Sequence, residues 1–228
     1  MTNITTATHL TSVTRSLAIN VYQFWHAKSE LSLQQWFEKL EAEHSSINLA
    51  DFVRQLGDEV GAKILNLSST SYEPFGASAA LLIGQELGNN ELRDQASVPR
   101  EQSQLAHLDA SHIAAHTYFD ASEHFGQFRM EIEISTCGVP TPNALISSVI
   151  NHCAADFVQI DFRVRGISWS EEGLPMLAGK DLSEAAWDVP DYNVSVFTEQ
   201  RSLYFELVRK TADSEILELI WQMQEAQG

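Results

Sequence analysis

The pattern of apolar and polar positions divides the chain into a helical opening and a strand-rich remainder. After a polar, Thr-rich start, Leu33, Trp36, Phe37 and Leu40 recur at helical spacing, as do Leu49, Phe52, Val53, Leu56 and Val60. Gly61 follows where a helix-ending glycine belongs. The first third is therefore expected to be helical. Ala62 to Leu67 and Ala79 to Ile83 read as strands, joined by the turn-rich stretch Ser71-Tyr72-Glu73-Pro74-Phe75-Gly76. Residues 84 to 106 are polar and without a period, and are expected to form a surface excursion.

From residue 111 the period changes to two. Phe128, Met130, Ile132 and Ile134 alternate with Arg129, Glu131, Glu133 and Ser135. Val158, Ile160, Phe162 and Val164 alternate likewise with Gln159, Asp161, Arg163 and Arg165. Between these strands, Leu145, Ile146, Val149, Ile150 and Cys153 make one helix face, with Thr141 a candidate cap and Pro142 suited to the first turn. A strand or hairpin is expected over 193–209, and a last helix from near Asp213. No repeat or low-complexity tract interrupts the pattern. The expectation is one α+β domain over residues 1–228, its largely antiparallel sheet covered by helices.

Composition narrows the function classes. The chain is 44% hydrophobic, enough for a proper core. No run of about 18 apolar residues occurs, so no transmembrane helix is expected. Met1 to Ser16 has neither a basic nor an apolar leader region, and two cysteines are too few for a disulfide framework. A cytoplasmic location is expected from these features. The formal charge of −17, from 31 acidic and 14 basic residues, argues against nucleic acid; it would favour encounter with a small cationic substrate, although solubility is the commoner reason for such a balance.

The residues that can carry chemistry leave several readings open. Cys153 lies on the apolar stripe of its helix and reads as a small buried hydrophobe. Cys137 continues the polar parity of the 128–136 strand, and Gly138 after it permits a sharp turn or a close ligand. His107, His112 and His116, with Asp109 and Asp120, raise a metal site, although their spacing matches no zinc signature. Cys137 with His116 raises a thiol hydrolase pair, again without a local signature.

A resemblance gives these residues a common frame. The segment Leu108-Asp109-Ala110-Ser111-His112-Ile113-Ala114-Ala115-His116-Thr117-Tyr118 resembles the processing site of bacterial S-adenosylmethionine decarboxylases. Ser135-Thr136-Cys137-Gly138 and Tyr72-Glu73-Pro74-Phe75-Gly76-Ala77-Ser78 resemble two further motifs of that family. Ile160-Asp161-Phe162-Arg163-Val164-Arg165-Gly166 is similar to the longer, enterobacterial-type branch. The motifs stand in the family's order across roughly residues 10–210.

The resemblance implies a chain that makes its own cofactor. Ser111 would attack the carbonyl carbon of Ala110, and the chain would divide into 1–110 (the beta chain) and 111–228 (the alpha chain). Ser111 would become a pyruvoyl group, whose keto carbon condenses with the substrate amine and serves as the electron sink for decarboxylation. By resemblance, His116 is the processing base, Cys137 the proton donor in decarboxylation, and Ser78 a second processing residue. Tyr72 corresponds to an aromatic that stacks on the substrate adenine. The product would be the aminopropyl donor for spermidine. Two protomers are expected to pair their sheets into a four-layer αββα sandwich. Longer relatives are associated with magnesium, for which no ligands can be named.

Three departures from the family pattern bear on function. Ala110 stands where Lys or Glu is usual, Phe119-Asp120 replaces Pro-Glu, and the chain ends early against the longer relatives. Two rival functions follow: a pyruvoyl-dependent arginine or ornithine decarboxylase, and an uncleaved, inactive paralogue that binds a ligand or regulates a partner.

Overall fold

Strand alternation organises the whole molecule. The computed structural model describes residues 12–84, 111–137, 142–169, 174–178, 189–199 and 202–225. The elements run β1 (Ser12–His26), α1 (Leu33–Glu43), α2 (Ser46–Glu59), β2 (Lys63–Ser71), β3 (Ala77–Gly84), β4 (His112–Ala121) and β5 (Phe125–Cys137). They continue with α3 (Ile146–Cys153), β6 (Phe157–Trp169), β7 (Pro175–Leu177), β8 (Tyr192–Glu199), β9 (Ser202–Arg209) and α4 (Ser214–Glu225). The nine strands of the described residues join one sheet in the order β2-β3-β4-β5-β1-β6-β9-β8, with β7 beside β6, and each of these pairings is antiparallel. The α+β expectation holds.

The largest departure from the sequence reading is β1. Residues 12–26 form a strand at the centre of the sheet, where a helical opening was expected. The period of two is present: Leu17, Ile19 and Val21 are buried on one face, while Ala18, Asn20 and Tyr22 face the other way. The polar start disguised it. Two smaller differences follow from local geometry. Pro142 opens a 3₁₀ turn (Pro142–Leu145) ahead of α3, whose N-cap position, Leu145, offers no side-chain cap; Thr141 lies outside the described residues. The expected excursion over 84–106 also lies outside them, Gly84 apart. β7 was not foreseen.

Helix ends follow their sequence signals. Ser32 and Gln35 form a reciprocal capping box at α1, and Ser45 accepts from the Asn48 amide at α2. Gly61, at φ +66°, turns the chain out of α2 toward β2 in the left-handed conformation that favours glycine.

Two apolar layers lie on opposite faces. Leu17, Ile19 and Val21 of β1, Phe128, Met130, Ile132 and Ile134 of β5, and Val158, Ile160 and Phe162 of β6 are buried with α2 and α3 on one face. On the other face, Phe24 and Phe157 pack against Ile216 and Ile220 of α4. Among the described residues, α4 lies over β1, β6 and β9 on this second face. Among the described residues, the part that runs across β3, β4 and β5 is polar and carries no helix.

Candidate active site

A row of polar side chains crosses this second face over β3, β4 and β5. Strand register pairs Ser78 of β3 with His116 of β4, His116 with Glu131 of β5, and Glu131 with Asn20 of β1. Directly paired residues lie on the same face of a sheet about 4.5–5.5 Å apart, so Ser78 and His116 are neighbours. The alternation that buries Ile113, Ala115 and Thr117 puts His112, Ala114, His116 and Tyr118 on the polar side.

His116 is bracketed by aromatic residues. The Tyr72 hydroxyl lies 3.4 Å from its Nδ1, and the Tyr118 ring is nearly parallel to it, at 6.2 Å between centroids and 20°. Arg129 places its guanidinium 4.6 Å from the centre of the Tyr118 ring and 3.7 Å from the Glu131 carboxylate. Partial burial, followed by the charge of Glu131, raises the Tyr118 phenol above its ordinary pKa. Sequence reasoning missed Tyr118, Arg129 and Glu131 as members of the cluster. Their signal was present as the polar parity of two strands, but which strands are neighbours is a property of the folded sheet.

Tyr72 is delivered by the turn between β2 and β3. Its amide donates to the Gly76 carbonyl at 2.7 Å, and the Gly76 amide donates to Glu41 Oε2 of α1 at 2.8 Å. Gly76 has φ +110°, and a Cβ there would fall 2.7 Å from the Thr117 carbonyl oxygen. Only glycine lets the turn press this closely on β4. Phe75 anchors the turn from beneath, 5.6 Å from both the Phe37 and the Phe119 ring centres.

Ser111 stands at the opposite end of β4 from this cluster. Its carbonyl accepts from the Ile83 amide at 2.9 Å, which ties it to the end of β3. His112 pairs with Ser135, so the start of β4 lies beside the end of β5, where Cys137 pairs with Thr14. Five residues separate Ser111 from His116, about 16 Å at the rise of a strand. By alternation Ser111 also falls on the parity of Ile113 and Ala115, opposite to His116. The chain thus brings Ser111 near Cys137, and His116 near Ser78 and Tyr72, but keeps the two groups apart. Ala110 lies outside the described residues.

The same spacing bears on two of the open readings. Cys137 lies six residues along β5 from Glu131, the partner of His116, so Cys137 and His116 are about 20 Å apart and form no thiol–imidazole pair within the chain. His112 and His116 share a face but are four strand residues apart, about 13 Å; His107 and Asp109 lie outside the described residues. Among the described residues no cluster of three or more His, Cys, Asp or Glu side chains could hold a metal ion, so no ligand set for magnesium emerges. Cys153 is buried against the Met130 sulfur, 3.5 Å away, and burial pushes its thiol up to about 12. It is a core residue, as its helix stripe suggested. No described helix is long and apolar enough to cross a membrane.

Comparison with known proteins gives this geometry a family context. No family model matches the chain. It is 36% identical over 168 residues to the S-adenosylmethionine decarboxylase proenzyme of Pseudoalteromonas translucida, covering 72% of this chain and 62% of that protein. The proenzymes of the same name from Marinobacter nauticus and Halorhodospira halophila are 31% identical over 176 residues and 33% identical over 168 residues. These matches cover 75% and 71% of this chain, and 67% and 62% of those proteins. The chain therefore spans about two thirds of the length of the relatives it matches. Among solved structures, the adenosylmethionine decarboxylase of Aquifex aeolicus aligns over 71% of this chain and 97% of its own, with 16% identity and a TM-score of 0.39.

Proposed function

The chain belongs to the S-adenosylmethionine decarboxylase proenzyme family, and from that premise we propose that it cuts itself between Ala110 and Ser111 and decarboxylates S-adenosylmethionine. The product is the aminopropyl donor for spermidine synthesis. The observation that carries the reading is the separation along β4 and β5: the start of β4, with Ser111, lies beside the end of β5, with Cys137, while His116 pairs with Ser78 further along.

Self-cleavage requires a nucleophile, a base and an oriented carbonyl. Ser111 Oγ attacks the Ala110 carbonyl carbon, the peptide C–N bond breaks, and an ester with a free Ser111 amine forms. His116 then takes the Cα proton of Ser111. The Cβ–O bond breaks and the 1–110 chain leaves as a carboxylate. The residue left at position 111 is a dehydroalanine; water replaces its nitrogen, ammonia leaves, and a pyruvoyl group remains on the 111–228 chain. Imidazole suits the proton step because it is substantially neutral near pH 7. The pyruvoyl group supplies the electron sink for decarboxylation. Cys137, at the end of β5 beside the start of β4, returns a proton to the substrate carbon.

The separation of about 16 Å between Ser111 and His116 exceeds the hydrogen-bond reach a general base needs. We therefore assign the base to a second copy of the chain. A two-fold axis between two polar faces brings the β4 start of one protomer to the His116–Ser78 pair of the other. Such a pairing gives the expected αββα layering over the part of the face that α4 leaves free. The net charge of −17 suits a sulfonium substrate.

Denaturing mass spectrometry tests the reading directly. Two chains are expected, 1–110 and 111–228, the latter with a blocked, pyruvoyl end. Borohydride with S-adenosylmethionine is expected to attach substrate to the 111–228 chain. A single chain of full mass overturns the reading in favour of an inactive paralogue, and turnover of arginine or ornithine alone overturns the substrate.

A further inference from the structure

A histidine acts as a base only through the nitrogen that lacks a proton, and which nitrogen that is depends on what the other one contacts. In water, imidazole favours the form protonated at Nε2. A contact that accepts from Nδ1 reverses this preference and leaves Nε2 with the lone pair.

At His116 the contact comes from Tyr72, whose hydroxyl oxygen lies 3.4 Å from Nδ1. The two residues are 44 apart in sequence, and the approach is built rather than incidental. Tyr72 directly follows β2, its amide is tied to Gly76, and the Gly76 amide is tied to Glu41 of α1. Gly76 also lies against the tyrosine ring, since a Cβ there would sit 3.2 Å from Tyr72 Cδ2. The ring of His116 has a second restraint in Tyr118, which Arg129 holds through its cation–π contact. Rotation of the imidazole is limited by one contact, and its proton is directed by the other.

We propose that Tyr72 is a positioning residue for His116: its hydroxyl oxygen accepts the Nδ1–H and leaves Nε2 free to take the Ser111 Cα proton. The inference rests on the self-cleavage reading and deepens it. It gives the Tyr72 hydroxyl a task separate from any stacking of its ring on the substrate adenine, which phenylalanine would perform equally well.

Tyr72→Phe separates the two roles, because the ring stays and the oxygen goes. The first measurement is the time course of precursor cleavage, with hydroxylamine added to capture ester. Cleavage is expected to slow by about fivefold to tenfold, the worth of one hydrogen bond. Hydroxylamine is expected to release more chain with an unmodified Ser111 amino terminus, since the ester waits longer for its base. The second measurement is the nitrogen-15 spectrum of His116 in an uncut Ser111→Ala background. There the Nδ1–H form is expected with Tyr72 present, and a shift toward Nε2–H with Tyr72→Phe. Cleavage at the parental rate, or slowed cleavage with an unchanged tautomer, overturns the inference while the self-cleavage reading stands. A parental chain that never cuts overturns both.

Discussion

Co-expressing two chains that are each unable to mature tests the assignment of His116 to a second protomer. One chain carries Ser111→Ala and lacks the nucleophile; the other carries His116→Ala and lacks the base. Expressed alone, the first cannot cleave, and the second is expected to lose about 10²–10⁴ in cleavage rate, the usual worth of a general base. The prediction for the mixture follows from the sheet. Ser111 and His116 are five residues apart on β4, about 16 Å at 3.3 Å per residue, and on opposite parities. A base must come within about 3 Å of the proton it removes. A mixed dimer joined face to face has one site with both defects and one site with neither. With different affinity tags on the two chains, sequential purification isolates mixed dimers. Mass spectrometry is then expected to find the His116→Ala chain cut and the Ser111→Ala chain whole. An uncut His116→Ala chain in verified mixed dimers refutes the shared site and returns the base to its own chain.

Cys137→Ala is expected to retain at least partial self-cleavage while decarboxylation falls on the order of 10²-fold or more, measured by carbon dioxide release. Cys153→Ala, at a buried core position, is expected to cost about 1 kcal/mol in denaturant melts and to leave turnover nearly intact. Acid sensitivity is expected from His44, which is buried against Phe128 and near His152, and whose pKa is lowered from 6.5 to about 4 by burial and then by His152. The unfolded chain takes up this proton at higher pH than the folded one, so stability is full above pH 6.5 and falls as pH drops toward 4. The loss is about 3 kcal/mol over that window, and His44→Phe is expected to flatten this part of the pH–Tm curve; an unchanged curve refutes it. Gly76→Ala forces a Cβ to within 2.7 Å of the Thr117 oxygen at φ +110°. A cost of about 1–3 kcal/mol in Tm measurements and slower cleavage are expected, because the same turn delivers Tyr72.

The strands and helices whose side chains meet one simple environment were legible from the chain alone. Phe128 to Ile134 and Val158 to Val164 alternate because one face of each strand meets the core, and Leu49 to Val60 repeats at 3.6 because one stripe of α2 does. Cys153 announced its burial in the same way. Residues 12–26 were harder, since a Thr-rich polar start and adjacent apolar residues at Phe24 and Trp25 blur the period where β1 is buried on both faces. The motifs around Ser111, His116 and Cys137 could also be picked out, because each stands in the chain as a short contiguous segment.

Which of these residues meet was decided by tertiary structure. Local sequence places His116 five residues after Ser111, and proximity in sequence suggests proximity in space. An extended strand does the reverse, carrying the two about 16 Å apart and onto opposite faces. Ser78 reaches His116 because β3 and β4 pair antiparallel in one register, and a shift of one residue would turn Ser78 into the core. Tyr72 reaches the same histidine through a turn whose Gly76 is tied to Glu41 of α1 and pressed against Thr117 of β4. Alternation along a strand is a local consequence of its pleat and can be read residue by residue. Register and strand order depend on contacts between segments far apart in the chain, and no single segment contains them.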